Sequence, residues 1–297
     1  MVEKIDVVST LHFDKAFQKK FDSLIGLDQE KESLLFGLKI ILDENGIASW
    51  KKKHHKDGLP FLERIKSRSP AIILSGDVGC GKTELALSVA SPLSTLMGGQ
   101  TIKVFETPTD IRAGGYVGDI SKRIVETFKD AKSKLTSREF GILIIDEADD
   151  LATSREQMQA HHEDRAGVNV LIKELDSLER NNGKMAVILI TNRGGSIDPA
   201  IKRRASLQIQ FERPNPETIT LLLKGILDGI KYTDLELQSL VKQCIEKQPA
   251  FTFSDIIRRI GENALVKSIK SDSPLSIETI RSVIEKTKPS PEFKQHE

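Results

Sequence analysis

Residues 71–83 read Ala71-Ile72-Ile73-Leu74-Ser75-Gly76-Asp77-Val78-Gly79-Cys80-Gly81-Lys82-Thr83. An apolar run of strand length passes directly into G-x-x-x-x-G-K-T, the spacing of a phosphate-binding loop. The glycines let backbone N–H groups curl around phosphate oxygens. A helix beginning at Lys82 turns its positive end toward the same place. Lys82 adds a mobile charge for the β- and γ-phosphates, and Thr83 offers a hydroxyl to Mg²⁺. A glycine-rich turn with no ligand would leave the strand, the helix and the Lys-Thr pair unexplained together. Gly76, Asp77, Val78, Gly79, Cys80, Gly81, Lys82, Thr83 and Glu84 are therefore the expected nucleotide-binding residues. Cys80 at a helix N-terminus could carry a lowered thiol pKa, but with no partner cysteine nearby a small filler is the plainer reading.

Outward from this loop the pattern alternates strand and helix. Strand-length apolar runs recur at 102–105, 142–145, 185–190 and 207–211. Between them lie amphipathic stretches such as Ile120, Ile124, Phe128 and Ala131, then Val170, Leu171, Leu175 and Leu178. Near-continuous apolar strands separated by helices predict an α/β fold: a parallel sheet with helices on both faces. After Arg213-Pro214-Asn215-Pro216 the strands stop. Ile219, Leu222, Leu223, Ile226, Leu227 and Ile230 form a helical stripe. A Thr233-x-x-Glu236 capping box opens the next helix. The division expected is an N-terminal segment (1–20), an α/β domain (21–213), an all-α lid (214–288) and a frayed tail (289–297). The first part reads as polar and helical, and 50–58 as a loop carrying the basic run Lys51–Lys56.

Two further strands end in polar residues. Gly141–Ile145 runs into Asp146-Glu147-Ala148-Asp149. Acids only at the C-terminal edge of a buried strand lie where α/β sheets bind ligands. Asp146 would hold Mg²⁺ through its water shell, and Glu147 would orient and deprotonate the attacking water. Ala186–Ile190 ends in Thr191-Asn192, where Asn192 could hold that water beside the γ-phosphate; the bland reading is turn chemistry.

Composition restricts the function classes. The 297 residues carry a formal net charge of +1, with 38% hydrophobic and 29% charged residues, as in a globular chain. No overall basic field would draw the chain onto nucleic acid or anionic lipid. No apolar run reaches the ~20 residues of a membrane span. Cys80 and Cys244 are the only cysteines, which with no signal-peptide pattern leads to the expectation of a cytoplasmic protein. His54-His55 and His161-His162 lack metal-ligand spacing and read as solvent-exposed.

The ordered set of P-loop, Asp-Glu strand, Asn strand, arginine segment and helical lid resembles the AAA+ ATPases, from about Phe21 to the last helix. That resemblance implies ATP with Mg²⁺ as the bound nucleotide and hydrolysis in a homo-oligomer of hexameric form. It implies that Ile25-Gly26, in the entry turn Phe21–Leu27, flank the adenine. Ile197–Arg204 resembles the arginine-finger helix, with Arg204 the first choice and Arg203 the second; a solvated basic face is the alternative. Gly114-Gly115-Tyr116-Val117-Gly118-Asp119 resembles the pore loop of polypeptide unfoldases, with Tyr116 and Val117 gripping an extended chain. Residues 162–172 before Leu175-Asp176, and Arg204-Ala205-Ser206, resemble the pachytene-checkpoint (thyroid hormone receptor interactor thirteen) group. Members remodel HORMA-domain proteins, in bacteria beside nucleotide second-messenger synthases in anti-phage defence. The chain departs from the eukaryotic members in having only about twenty residues before Phe21, as the bacterial short forms do. Around Ser254-Asp255 it departs from AAA+ proteins that carry a lid sensor arginine. The implied function is ATP-driven remodelling of a protein substrate. A nucleic-acid-directed clamp-loader type is the rival, opposed by the neutral charge and by Tyr116-Val117; a nucleotide-dependent scaffold is another, opposed by Glu147.

Overall fold

The computed structural model describes residues 8–11, 15–56, 58–65, 69–107, 119–151, 162–180 and 184–292. Among the described residues six strands form one sheet: β1 (Val8–Leu11), β2 (Ala71–Gly76), β3 (Thr101–Glu106), β4 (Glu139–Ile145), β5 (Met185–Thr191) and β6 (Ala205–Phe211). Their order is β1-β3-β4-β5-β2-β6. β3, β4, β5 and β2 pair in parallel, and β1 adds antiparallel to β3 at one edge. At the other edge, the Ser206 hydroxyl donates to the Ala71 carbonyl and the Ser75 hydroxyl to Gln210, so β6 runs the same way as β2.

The chain divides into two units. The first takes in the described residues up to Ser23 with those of Gln29–Ser75 and Thr83–Gln210. Its helices are α1 (Lys15–Ser23), α2 (Asp28–Leu42), α3 (Glu44–His54), α4 (Pro60–Ile65), α5 (Lys82–Ser88), α6 (Ala90–Leu96), α7 (Asp119–Ser133), α8 (Ala148–Leu151), α9 (His162–Arg180) and α10 (Pro199–Arg204). Successive strand residues face opposite sides. Ile73, Leu143, Ile145, Val187 and Leu189 pack with Ile124 and Phe128 of α7 and Leu171 and Leu175 of α9. On the other face α2 comes close enough that a Cβ on Gly37 would touch Ile72 and Leu207. Both faces are thus covered, as a parallel sheet requires.

The second unit comprises Leu24–Asp28, Gly76–Lys82 and the described chain from Phe211 onward. It is built on α11 (Pro216–Ile226), α12 (Asp234–Ile245), α13 (Asn263–Lys270) and α14 (Ile277–Lys286). Ile219, Leu223, Leu240, Ile256, Ile260 and Ile280 are buried within it. The capping box forms as expected, Thr233 and Glu236 each satisfying the other's backbone N–H. Residues 255–262 widen into π-type turns that run directly into α13. Because the unit also holds 24–28 and 76–82, it differs from the linear division at 213.

Four expectations change. Val8–Leu11 is a strand where helix was expected; it is four residues long and held by its pairing to β3, which periodicity over so few residues cannot reveal. Residues 50–54 belong to α3, which Asp43 caps by accepting from the Gly46 N–H. Lys51, Lys52 and Lys53 therefore lie in its last turn, where cations complement the helix dipole, and Trp50 packs its ring against His54 and His55. The first lid helix ends before Ile230, at a turn through Gly229. At the C-terminus Ser290 and Pro291 have fixed hydrogen-bond partners, so fraying does not extend to them.

Phe128→Ala empties a fully buried site in the first unit's core. It is expected to cost about 3 kcal/mol or more, whereas Val125→Ala on the exposed side of the same helix stays within about 0.5 kcal/mol. Denaturant midpoints of the two variants check this.

Candidate functional site

The parallel register gathers the polar strand ends. Ser75 lies opposite Thr191, and Ile145 opposite Leu189. Within the first unit the residues after β4 and β5 therefore emerge at one sheet edge, the carboxyl end, where α/β folds bind ligands. Asp146 and Glu147 follow β4 and are exposed; Asn192 follows β5 and is half-buried.

Within the first unit, the Thr83 hydroxyl donates to Asp146 Oδ2 at 2.9 Å. A hydroxyl and a carboxylate oxygen at this separation are the hard oxygen donors that Mg²⁺ takes alongside water and phosphate. The Glu147 N–H donates to Asp146 Oδ1 at 2.8 Å, and Glu147 itself sits at φ 51°. A non-glycine residue in the left-handed region carries strain that the surroundings must enforce, as at many reactive positions. The Thr191 hydroxyl donates to Asp149 Oδ1 and accepts from the Arg193 N–H, both at 2.9 Å. These bonds tie α8 to the end of β5. Asp149 stood in the sequence motif without an assigned role; only the tertiary pairing supplies one.

Within the second unit, Lys82 is buried, and its Nζ donates to the carbonyls of Gly76 at 2.7 Å and Asp77 at 2.8 Å. The ammonium thus sits inside the curl of the loop. Gly79 takes φ 81°, and a Cβ there would come within 2.9 Å of both Thr252 and Ser254. No other residue type meets both demands without a shift. The Ser254 N–H donates to the Gly79 carbonyl at 3.0 Å. Gly26 is confined similarly: φ is 75° and a Cβ would collide with Thr218 of α11. Leu27 lies under Gly81, whose Cβ would fall 2.9 Å from its Cδ1. The entry turn expected to flank adenine thus packs directly on the glycine-rich loop. Val78 is exposed and Cys80 fully buried.

The remaining expected residues fall as follows. Glu84 is turned to an ion pair with Lys20 of α1. Arg203 is exposed. Arg204 is held by Asp176 of α9 through Nε at 2.8 Å and Nη2 at 3.4 Å, and its Nη1 donates to the Ala200 carbonyl. The hydrogen bond from Asp176 pushes the Arg204 pKa further up. Asp198 caps α10 by accepting from the Ala200 N–H, with Pro199 in the first turn, which sets where both arginines project. Tyr116 and Val117 lie outside the described residues, as does His161. Among the described residues no group of three or more His, Cys, Asp or Glu side chains could hold a metal, and no helix is long and apolar enough to cross a membrane.

Residues 72–214 match the ATPase family associated with various cellular activities (AAA). CD-NTase-associated protein 6 of Escherichia coli strain MS 115-1 is 34% identical over 93% of this chain and 92% of its own length. This chain is an AAA ATPase of the CD-NTase-associated protein 6 group. Two solved structures agree with that membership. A chain in the E. coli MS115-1 HORMA:CdnC:Trip13 complex superposes with a TM-score of 0.90 at 32% identity, covering 99% of both chains. Rhizobiales Trip13 gives 0.73 at 27% identity, covering 96% of this chain and 98% of its own.

Burial pushes the Cys80 thiol up to about 11, against a smaller opposing pull from Lys82. At pH 8 it is a neutral thiol, and thiolate forms only as pH rises toward that value. The redox alternative is thereby disfavoured. A thiol-specific chromogenic disulfide added to the native protein at pH 8 is expected to leave Cys80 intact, with both cysteines reacting once guanidinium unfolds the chain.

Proposed function

We propose that this AAA ATPase hydrolyses Mg-ATP as a homo-hexamer and uses the energy to remodel a HORMA-domain protein. The hydrogen bond from Thr83 to Asp146 supports the nucleotide reading, because within the first unit it pairs the threonine of G-x-x-x-x-G-K-T with the acid that follows β4. Thr83 and Asp146 would hold Mg²⁺, which when bound draws charge from the β- and γ-phosphates. Lys82, already turned into the loop, binds phosphate oxygens as a point charge. Glu147 takes the proton of the attacking water, and Asn192 orients that water. Ile25 and Gly26 border the base. Arg204 or Arg203 reaches the γ-phosphate bound by a neighbouring subunit. The Arg204–Asp176 pair is about one-third exposed. A pair of that kind is worth roughly 0–1 kcal/mol, so a multiply charged phosphate can displace Asp176.

The client assignment rests on the relative solved with HORMA and CdnC, matched here across nearly the whole chain. Tyr116 and Val117 would grip the client by apolar contact with no demand on its sequence. The client would be a HORMA-domain protein acting beside a nucleotide second-messenger synthase in anti-phage signalling. The chain's formal charge of +1 favours this over a nucleic-acid-directed reading.

Glu147→Gln is expected to retain ATP binding while turnover falls by about 100-fold or more. A HORMA-domain protein encoded nearby is expected to stimulate the wild type but not Tyr116→Ala. Stimulation by DNA and indifference to that protein would sink the remodeller reading while leaving the hydrolytic one intact. A mixing experiment tests the shared site. Glu147→Gln and Arg204→Ala subunits, each inactive alone, should regain part of the hydrolysis when combined, since one supplies the base and the other the arginine. A mixture no more active than its components means Arg204 does not act across subunits.

A further inference from the structure

Arg213, just beyond β6, is nearly buried, with its side chain 10% exposed. Its Nε donates to Asp77 Oδ2 at 2.6 Å, within the phosphate loop. Its Nη1 donates to the carbonyls of Ala250 and of Ser290, the latter at 3.0 Å, and its Nη2 to the Pro291 carbonyl at 3.0 Å. Four bonds in three directions use the planar fork of a guanidinium; a lysine ammonium has three donors on one atom and cannot span them. Asp77 in turn presents the backbone carbonyl that receives Lys82 Nζ at 2.8 Å.

The C-terminal end of this chain of contacts is anchored. The fully buried Asp255 accepts from the Ser290 N–H at 3.0 Å and from the Ser290 hydroxyl at 2.7 Å. Thr252 N–H and Arg259 complete its shell. Burial opposes ionisation of Asp255, but these hydrogen bonds outweigh it and hold the carboxyl below its ordinary value. Ser254, its neighbour, is the residue that holds the Gly79 carbonyl.

We infer that Arg213 is a positioning residue for the phosphate loop, and that Ser290 and Pro291 hold it in that role. The C-terminal segment then sets nucleotide affinity from outside the nucleotide-binding motifs. Withdrawing it removes two of the guanidinium's four acceptors, loosens Asp77 and lets the carbonyl that seats Lys82 drift. The affinity part rests on the ATP reading above; the loop-ordering part does not.

The test compares wild type, Arg213→Lys, a chain ending at Lys288, their combination, and a chain ending at Pro291. Hydrogen exchange in nucleotide-free protein reads the order of residues 76–81; titration with a fluorescent ATP analogue reads affinity. Arg213→Lys and the Lys288 truncation should each speed exchange in 76–81 while α12 stays protected. Each should also weaken the analogue by about tenfold. The combination should be no worse than the stronger single change, because both act through one link. The Pro291 truncation should match wild type. Unchanged exchange at 76–81, faster exchange spread equally over α12, or effects that multiply in the combination would each overturn the inference. A wild type that orders its loop as described but binds no analogue would instead overturn the ATP reading.

Discussion

Ser75 opposite Thr191 and Ile145 opposite Leu189 state the constraint on which the site depends. A parallel register lets every strand of the pairing end at the same edge, and it forces each connection to cross a face of the sheet as a helix. The residues after β4 and β5 are therefore neighbours although some forty positions separate Asp149 from Thr191. The crossovers also bury both faces, so the strands read as unbroken apolar runs and end in polar residues only where they reach the edge. Had β4 slipped by one residue against β5, its side chains would have exchanged faces. Leu143 and Ile145 would then have left the cluster they share with α7 and α9.

The glycine-rich loop after β2 is braced in a different way. Its carbonyls and side chains are held by residues drawn from far along the chain: Ser254 on Gly79, Arg213 on Asp77, Leu27 beneath Gly81. A loop rich in glycine loses much conformational freedom on ordering. Each of these contacts offsets part of that loss and fixes the direction in which the loop amides point. The unit that contains the loop is otherwise helical, with Asp255 as its buried polar centre. An ionised group in that setting is stable only because its oxygens are saturated by hydrogen bonds.

The two arginines of α10 illustrate how one helix can divide its chemistry. Asp198 and Pro199 fix the start of the helix, and six residues later its last turn presents Arg203 to solvent and Arg204 to Asp176. Adjacent helical positions project about 100° apart, so neighbours of identical type meet different surroundings. A sequence pattern that ranks them by motif alone carries no information on which is engaged.

The chain by itself determined the α/β class, the place of the five longer strands to within one to three residues at either end, the glycine-rich turn after β2, and the exposed acids that follow β4. Each of these is written locally: in an apolar run of strand length, in glycine spacing, or in a polar residue ending a buried strand. The Thr233–Glu236 cap belongs to the same group, since it needs only four consecutive positions. Only the tertiary structure decided the rest. Val8–Leu11 becomes a strand through its partner β3, not through its own four residues. The partnership of Arg204 with Asp176, of Thr191 with Asp149, and of Arg213 with both Asp77 and the C-terminal Ser290 joins positions 28 to 136 residues apart. Ser290 and Pro291, expected within a frayed tail, are fixed by such partners. No periodicity records them, because a hydrogen bond depends on where the fold delivers its donor and acceptor, and that is set by the packing of whole elements.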